Sequence, residues 1–239
     1  MVNIHVASQA ECSHLAAELI AGELVLDHPV IGLATGRSTV SLHEELIKMH
    51  QQGTINLNRA TWVMLDEFVG IEPQDPRSFR QQLCRNFFNA FDPDNQKLIG
   101  PQLSLSKPEK IREDFSSATK DLVINLQILG IGRNGHVGFN EPGTPASSRT
   151  HLVHLATSTV KDLDQLHWQE TDQPIRAVTR GIADIYETQK LILLAFGSAK
   201  AEAIKGAVLD PVSTDCPASL LREHQNFHVF IDAEAASLL

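Results

Sequence analysis

Four short segments of this chain gather residues that could do chemistry. Thr35-Gly36-Arg37-Ser38-Thr39 follows the apolar run VIGLA at 30–34. A tight turn at Gly36 exposes backbone N–H groups, the hydroxyls of Thr35, Ser38 and Thr39 add donors, and a helix after the turn aims its positive end at it. Such a turn suits an anion, above all a phosphate, with Arg37 at hand for charge. The same residues also suit an ordinary helix cap. Gly197-Ser198-Ala199-Lys200 repeats the plan after KLILLAF, with a cation in a first turn where the helix dipole disfavours it. Asp66-Glu67 closes the run TWVML at 61–65. Side chains alternate along an extended segment, so only one of the two carboxylates can face a given cleft, where it could take a proton from carbon or bind a metal. The fourth segment, residues 130–141, is a long glycine-rich loop with His136 and Glu141 inside it. An imidazole between glycine turns is the natural proton shuttle near neutral pH, and a carboxylate nearby could orient it.

Other chemistries fit less well. Gly130-x-Gly132-x-x-Gly135 matches the three-glycine dinucleotide fingerprint in letters, but that fingerprint must open a helix, and here His136-Val137-Gly138-Phe139-Asn140-Glu141-Pro142 follows. The histidines show no H-E-x-x-H spacing, so no metal site is expected, and no G-x-S-x-G elbow is present. Cys12, Cys84 and Cys216 are scattered and form no C-x-x-C, which points to a reducing, cytoplasmic setting rather than a disulfide framework. The net charge of -9 repels nucleic acid and anionic membranes. No basic segment precedes an apolar one at the N-terminus, and the apolar runs are about six residues long, far from the roughly twenty needed to span a bilayer.

The elements that would position these segments read as one α/β domain. The length is 239 residues, with 42% hydrophobic and 21% charged, an ordinary globular balance. Strands are expected at 2–6 (an edge), 30–34, 61–65, 122–129, 190–196 and 227–231. Helices are expected at about 9–26, 40–51, 78–88, 109–120 and 199–208. Residues 66–76 read as a loop, and His151 and His154 bracket a further strand. Strands alternating with helices imply a three-layer α/β/α sandwich around a Rossmann-like, mostly parallel sheet. Ligands in such sheets collect outside the carboxyl ends of the strands, where all four segments fall.

Leu65-Asp66-Glu67-Phe68-Val69-Gly70 with Ser78-Phe79, and then GIGRNGHVGFNEPG at 130–143, resemble the glucosamine-6-phosphate deaminase (isomerase) family. The similarity runs along nearly the whole chain. It implies that an amino sugar 6-phosphate is opened from its ring, isomerised from aldose to ketose and deaminated, without metal or organic cofactor. Carried over residue by residue, Asp66 would move the proton from C2 to C1 and His136 would serve the ring oxygen. Glu141 and Asn134 would flank and orient that histidine; the Asn134 amide can hydrogen-bond its ring but brings no negative charge. Residues Thr35, Gly36, Arg37, Ser38 and Thr39, with Lys200, would hold the phosphate. Longer members supply a phosphate-clasping arginine from a lid. Here the corresponding lid, about 157–176, lacks one before Arg176, and Arg176 and Arg180 are the expected substitutes. Their string, RAVTRG, resembles galactosamine-6-phosphate isomerase relatives and keeps that epimer as an alternative. A lactonase or a silent sugar-phosphate sensor are the further alternatives. A monomer or small homo-oligomer is expected.

Overall fold

The computed structural model describes residues 2–94, 97–103, 107–163 and 175–239. Seven parallel strands form the main sheet: β1 (Asn3–Val6), β2 (Val30–Leu33), β3 (Thr61–Met64), β5 (Leu98–Ile99), β6 (Leu126–Gly130), β9 (Leu191–Ala195) and β10 (Phe227–Ile231). Their spatial order is β1-β10-β9-β6-β2-β3-β5, with β1 at an edge as expected. The central strands β6 and β9 are almost wholly buried, which is why they read as unbroken apolar runs rather than alternating ones. Helices α1 (Gln9–Leu24) and α2 (Arg37–Gln51) pack on each other, α1 also on β10 and α2 on β6 and β9. Ser8 caps α1 by accepting the Glu11 N–H at 3.3 Å. Cys12, Ala16, Ile20 and Leu24, four apart, turn one stripe inward.

The order of the strands reverses between β2 and β6: from β2 the chain builds outward to β3 and β5, and from β6 outward to β9 and β10. A crevice opens beside the carboxyl ends at such a reversal. The phosphate-type turn leaves β2 there and the glycine-rich loop leaves β6.

A second sheet was not foreseen. Residues 66–72, expected as a loop, instead begin with strand β4 (Asp66–Val69), which pairs antiparallel with β8 (Arg176–Thr179), itself paired antiparallel with β7 (His151–His154). Two adjacent carboxylates argue against a strand until each finds its own surroundings, and here each does. Beneath this sheet, Val63, Val69 and Val178 meet Ile111 and Phe115 of α4 (Pro108–Thr119) in a separate apolar cluster. The remaining helices are α3 (Phe79–Asn86), α5 (Thr157–Asp162), α6 (Ile182–Tyr186) and α7 (Ala201–Val208). Of the expected lid, residues 157–163 and 175–176 are described; 164–174, including His167 and Trp168, lie outside the described residues.

Candidate active site

A cavity of about 590 Å³ sits at the carboxyl edge of the main sheet, lined from all four segments. Residues 35–39, Asp66, His136 and Lys200 all reach it.

Asp66 starts β4, opposite Thr179, and is 7% exposed. Among the described residues no donor reaches its carboxylate. Burial, with the charge of Glu67 added, pushes the carboxyl up to about 8. Glu67 faces the other way, fully buried, and there it meets four donors: the N–H groups of Phe68 (2.8 Å), Phe79 (2.9 Å) and Arg80 (2.8 Å), and the Ser78 hydroxyl (2.7 Å). Burial pushes its carboxyl up while those hydrogen bonds pull it down. Three of the donors are backbone amides, which only lone pairs can satisfy, and two of them open α3, whose positive end favours the anion. One carboxylate of the pair is thus a structural clasp, and the other faces the cavity without a hydrogen-bond donor among the described residues.

His136 stands on the loop after β6. Its ring lies across Gly132, where a Cβ would fall inside the imidazole. Glu141 Oε2 lies 3.7 Å from Nδ1, and Thr159 Oγ1 of α5 lies 3.4 Å from the same nitrogen. Glu141 is fixed in turn by the Ala156 N–H at 3.1 Å and by Asn134 Nδ2 at 2.9 Å. With Nδ1 facing Glu141, Nε2 is the nitrogen left to work on a ligand. Burial draws the imidazole below its ordinary range, Glu141 opposes this, and Lys200 adds to it. The ring is therefore neutral near pH 7.

Asn134 bonds the backbone of His136 rather than its ring. Its Oδ1 accepts the His136 backbone N–H at 3.2 Å and its Nδ2 holds Glu141. It steadies the loop and the carboxylate behind the histidine. Asn134→Asp places a second carboxylate against Glu141 and adds negative charge beside the ring, which favours imidazolium. The acid limb of the pH–rate profile is expected to move to higher pH. An unmoved limb would mean that position 134 is electrically uncoupled from His136.

At the anion end, Gly36 caps α2 at φ 121°, a conformation side chains avoid. Thr35 Oγ1 is buried with no hydrogen-bond partner, an orphan at the mouth of a helix N-terminus. Thr39 is already occupied: its hydroxyl donates to the carbonyls of Gly36 (3.0 Å) and Ala34 (3.2 Å), so it braces the turn. Lys200 Nζ donates to the Ile131 carbonyl at 2.7 Å and lines the cavity. Burial draws the ammonium below its usual range, opposed by Asp162. Arg37, Arg133 and Lys161 add positive charge and Asp162 opposes it, its carboxylate paired with Arg133.

Arg176 and Arg180 do not join them. Arg176 is exposed at the start of β8, in register with Val69 and His154, and does not line the cavity. Arg180 follows Thr179, whose hydroxyl accepts the Phe139 N–H at 3.2 Å on the cavity side. Alternation sends the next side chain away. The Arg180 guanidinium donates instead to Gln127 Oε1 at 2.6 Å and to the Asp184 carbonyl at 2.7 Å.

Sequence reasoning passed over several contributors. Thr159, beside His136, and Phe79 and Gln82 of α3 line the cavity. Asp232, after β10, accepts the Gly197 N–H with both oxygens at 3.0 Å and fixes the turn that carries Lys200. A polar residue directly after the closing strand was the available signal for it.

Known proteins resemble this chain along its length. The family described as glucosamine-6-phosphate isomerases/6-phosphogluconolactonase matches residues 7–230. A glucosamine-6-phosphate deaminase of Streptococcus gordonii is 39% identical over 237 residues, 99% of this chain and 98% of that protein. One of Streptococcus pneumoniae is 38% identical over 236 residues, again 99% and 98%. A solved monomeric glucosamine-6-phosphate deaminase superimposes with a TM-score of 0.92 at 34% identity, covering 100% of this chain and 99% of that one. The 6-phosphogluconolactonase of Trypanosoma brucei shares the fold, with a TM-score of 0.80, at 18% identity over 100% and 99%.

Proposed function

Since the chain belongs to the family of glucosamine-6-phosphate isomerases and 6-phosphogluconolactonases, we propose that it is an enzyme that converts glucosamine 6-phosphate and water to fructose 6-phosphate and ammonia. The observation that carries this reading is one cavity that holds an unpaired buried carboxylate, an imidazole backed by a glutamate and an anion cradle together. The phosphate sits at the α2 N-terminus against residues 35–38, with the orphan hydroxyl of Thr35 and the ammonium of Lys200 as partners. Held there, the sugar presents its ring to the other two groups, and orientation supplies much of the rate. His136 exchanges a proton with the ring oxygen as the C1–O bond opens. Asp66 takes the C2 proton and returns it to C1. The resulting C2 imine adds water and releases ammonia, leaving the ketose. A carboxyl titrating near 8 is well matched to this transfer near neutral pH. A monomer or small homo-oligomer suffices, because the four segments come from one chain. No helix among the described residues is long and apolar enough to cross a membrane.

The galactosamine alternative leaned on the RAVTRG string, and neither arginine of that string lines the cavity. Supplying glucosamine 6-phosphate and galactosamine 6-phosphate in parallel, and measuring ammonia and ketose phosphate, tests the choice. Ammonia with fructose 6-phosphate from the first is expected; silence with both would overturn the reading. Lys200→Ala is expected to lower kcat/KM about 10²-fold, the worth of a charge-assisted hydrogen bond. The same loss should vanish for a substrate lacking the phosphate. An equal loss on both substrates would place Lys200 outside the phosphate cradle.

A further inference from the structure

A second cavity, of about 270 Å³, lies at the amino ends of β6 and β9, and shares no lining residue with the first. Arg180 lines it, 5% exposed. Both acceptors of its guanidinium, the Gln127 amide oxygen and the Asp184 main-chain carbonyl, are neutral. Among the described residues no carboxylate forms an ion pair with it. The two acidic groups on the cavity wall are committed elsewhere. Asp184 accepts from Arg149 Nη1 (3.1 Å), the Thr150 hydroxyl (2.9 Å) and the Gly181 N–H (3.2 Å), and Glu187 is paired with Arg149. The charges of Asp184 and Glu187 act on the guanidinium from across the cavity, but neither carboxylate bonds to it, and a buried cation held only by neutral acceptors is costly to keep. Burial draws Arg180 down to about 10, so it is still charged at neutral pH.

Independently, Thr188, 3% exposed, lines the same cavity, and its Oγ1 has no hydrogen-bond partner. A buried hydroxyl is rarely left so. Lys120, exposed at the rim with its ammonium 3.9 Å from the Asp121 carboxylate, adds a third cationic group to the lining. We propose that this cavity binds a small oxyanion, a phosphate or carboxylate group, held by the Arg180 guanidinium and the Thr188 hydroxyl with Lys120 at the entrance.

Arg180 is a poor residue to substitute. Its N–H donates to the Leu65 carbonyl and its own carbonyl accepts from Asn140, at 2.9 Å each, so a change there disturbs the neighbours of Asp66 and Glu141. Thr188→Val and Lys120→Ala avoid this. Inorganic phosphate also fits the first cavity, so the measurement is made with Lys200→Ala as the parent. Thermal melting and calorimetric titration with inorganic phosphate, and separately with malonate, report binding of the two oxyanion types. Residual binding of at least one is expected in the parent, weakened roughly tenfold to hundredfold when Thr188→Val or Lys120→Ala is added. In phosphate-free buffer Thr188→Val should melt no lower than its parent, because the hydroxyl it removes bonds to nothing. In the otherwise unchanged chain, Thr188→Val should leave amino sugar turnover intact, which separates this site from the first. No binding of either anion in the Lys200→Ala parent, or binding untouched by both added changes, would overturn the proposal.

Discussion

Replacing Asp66 by asparagine lowers turnover of glucosamine 6-phosphate by about 10²–10⁴-fold, the usual worth of a positioned acid–base group, while sugar-phosphate binding persists and the protein becomes more stable. The first half follows from the geometry: the proposed anion cradle, residues 35–38 and Lys200, lines the same cavity but shares no hydrogen bond with Asp66. The second half follows from the raised pKa. The ordinary carboxyl value is 3.8 and the folded value about 8, so between those limits the folded state holds a proton the unfolded state has lost. Stability from this group is full below pH 3.8 and falls as pH rises towards 8. Asparagine has no proton to lose. The gain in unfolding free energy should therefore grow from about zero near pH 4 to on the order of 2–5 kcal/mol at pH 8. Chemical denaturation of the two proteins at several pH values measures it. A variant that turns over at the original rate would remove Asp66 from the role of base, and one no more stable than its parent at pH 8 would show that its carboxyl is not raised in the folded state.

Gly132→Ala should be nearly as damaging, although the residue carries no functional group. Its backbone is pinned: the N–H donates to the His136 carbonyl at 2.9 Å and the carbonyl accepts from Gly135 at 3.0 Å. The added methyl must therefore displace the imidazole rather than the chain. A ring moved by an ångström no longer sits between Glu141 and the sugar, and turnover should drop by about 10²–10⁴-fold, as it would for His136→Gln. The two changes should not add. Gly132→Ala in a His136→Gln background should cost little more, because the ring it displaces is gone. Multiplicative losses in the double variant would show that Gly132 acts through something other than the histidine.

The parallel sheet was readable because its strands are buried on both sides and spelled in unbroken apolar letters, and because helices with clear stripes separate them. The same letters located the cavity through the strand-end rule. The antiparallel sheet was hidden by Asp66-Glu67, whose charges argue for solvent. What makes a strand possible there is non-local: α3, more than ten residues downstream, brings its N-terminal amides to Glu67. Alternation along that segment was nonetheless enough to foresee that one carboxylate alone would reach the cleft. Arg176 and Arg180 misled for the complementary reason. Their charge suited a phosphate, but their direction is set by β8, a strand not foreseen because its partner β4 read as a loop. Asn134 lies beside the histidine but bonds its backbone amide and Glu141 rather than its ring, since a side chain two residues from a histidine can reach its amide as readily as its ring.

The antiparallel ladder also governs where this chain can change length. Strand β4 alternates between two destinations, the cleft and the N-terminus of α3, so inserting or deleting a single amino acid within it exchanges their occupants. The glutamate, one methylene longer, would then meet the sugar, and the aspartate would fall short of four waiting donors. Natural size variation can enter among the turns at 70–77, where no such parity is kept, but relatives that retain this chemistry should hold the spacing from Leu65 to Val69 fixed.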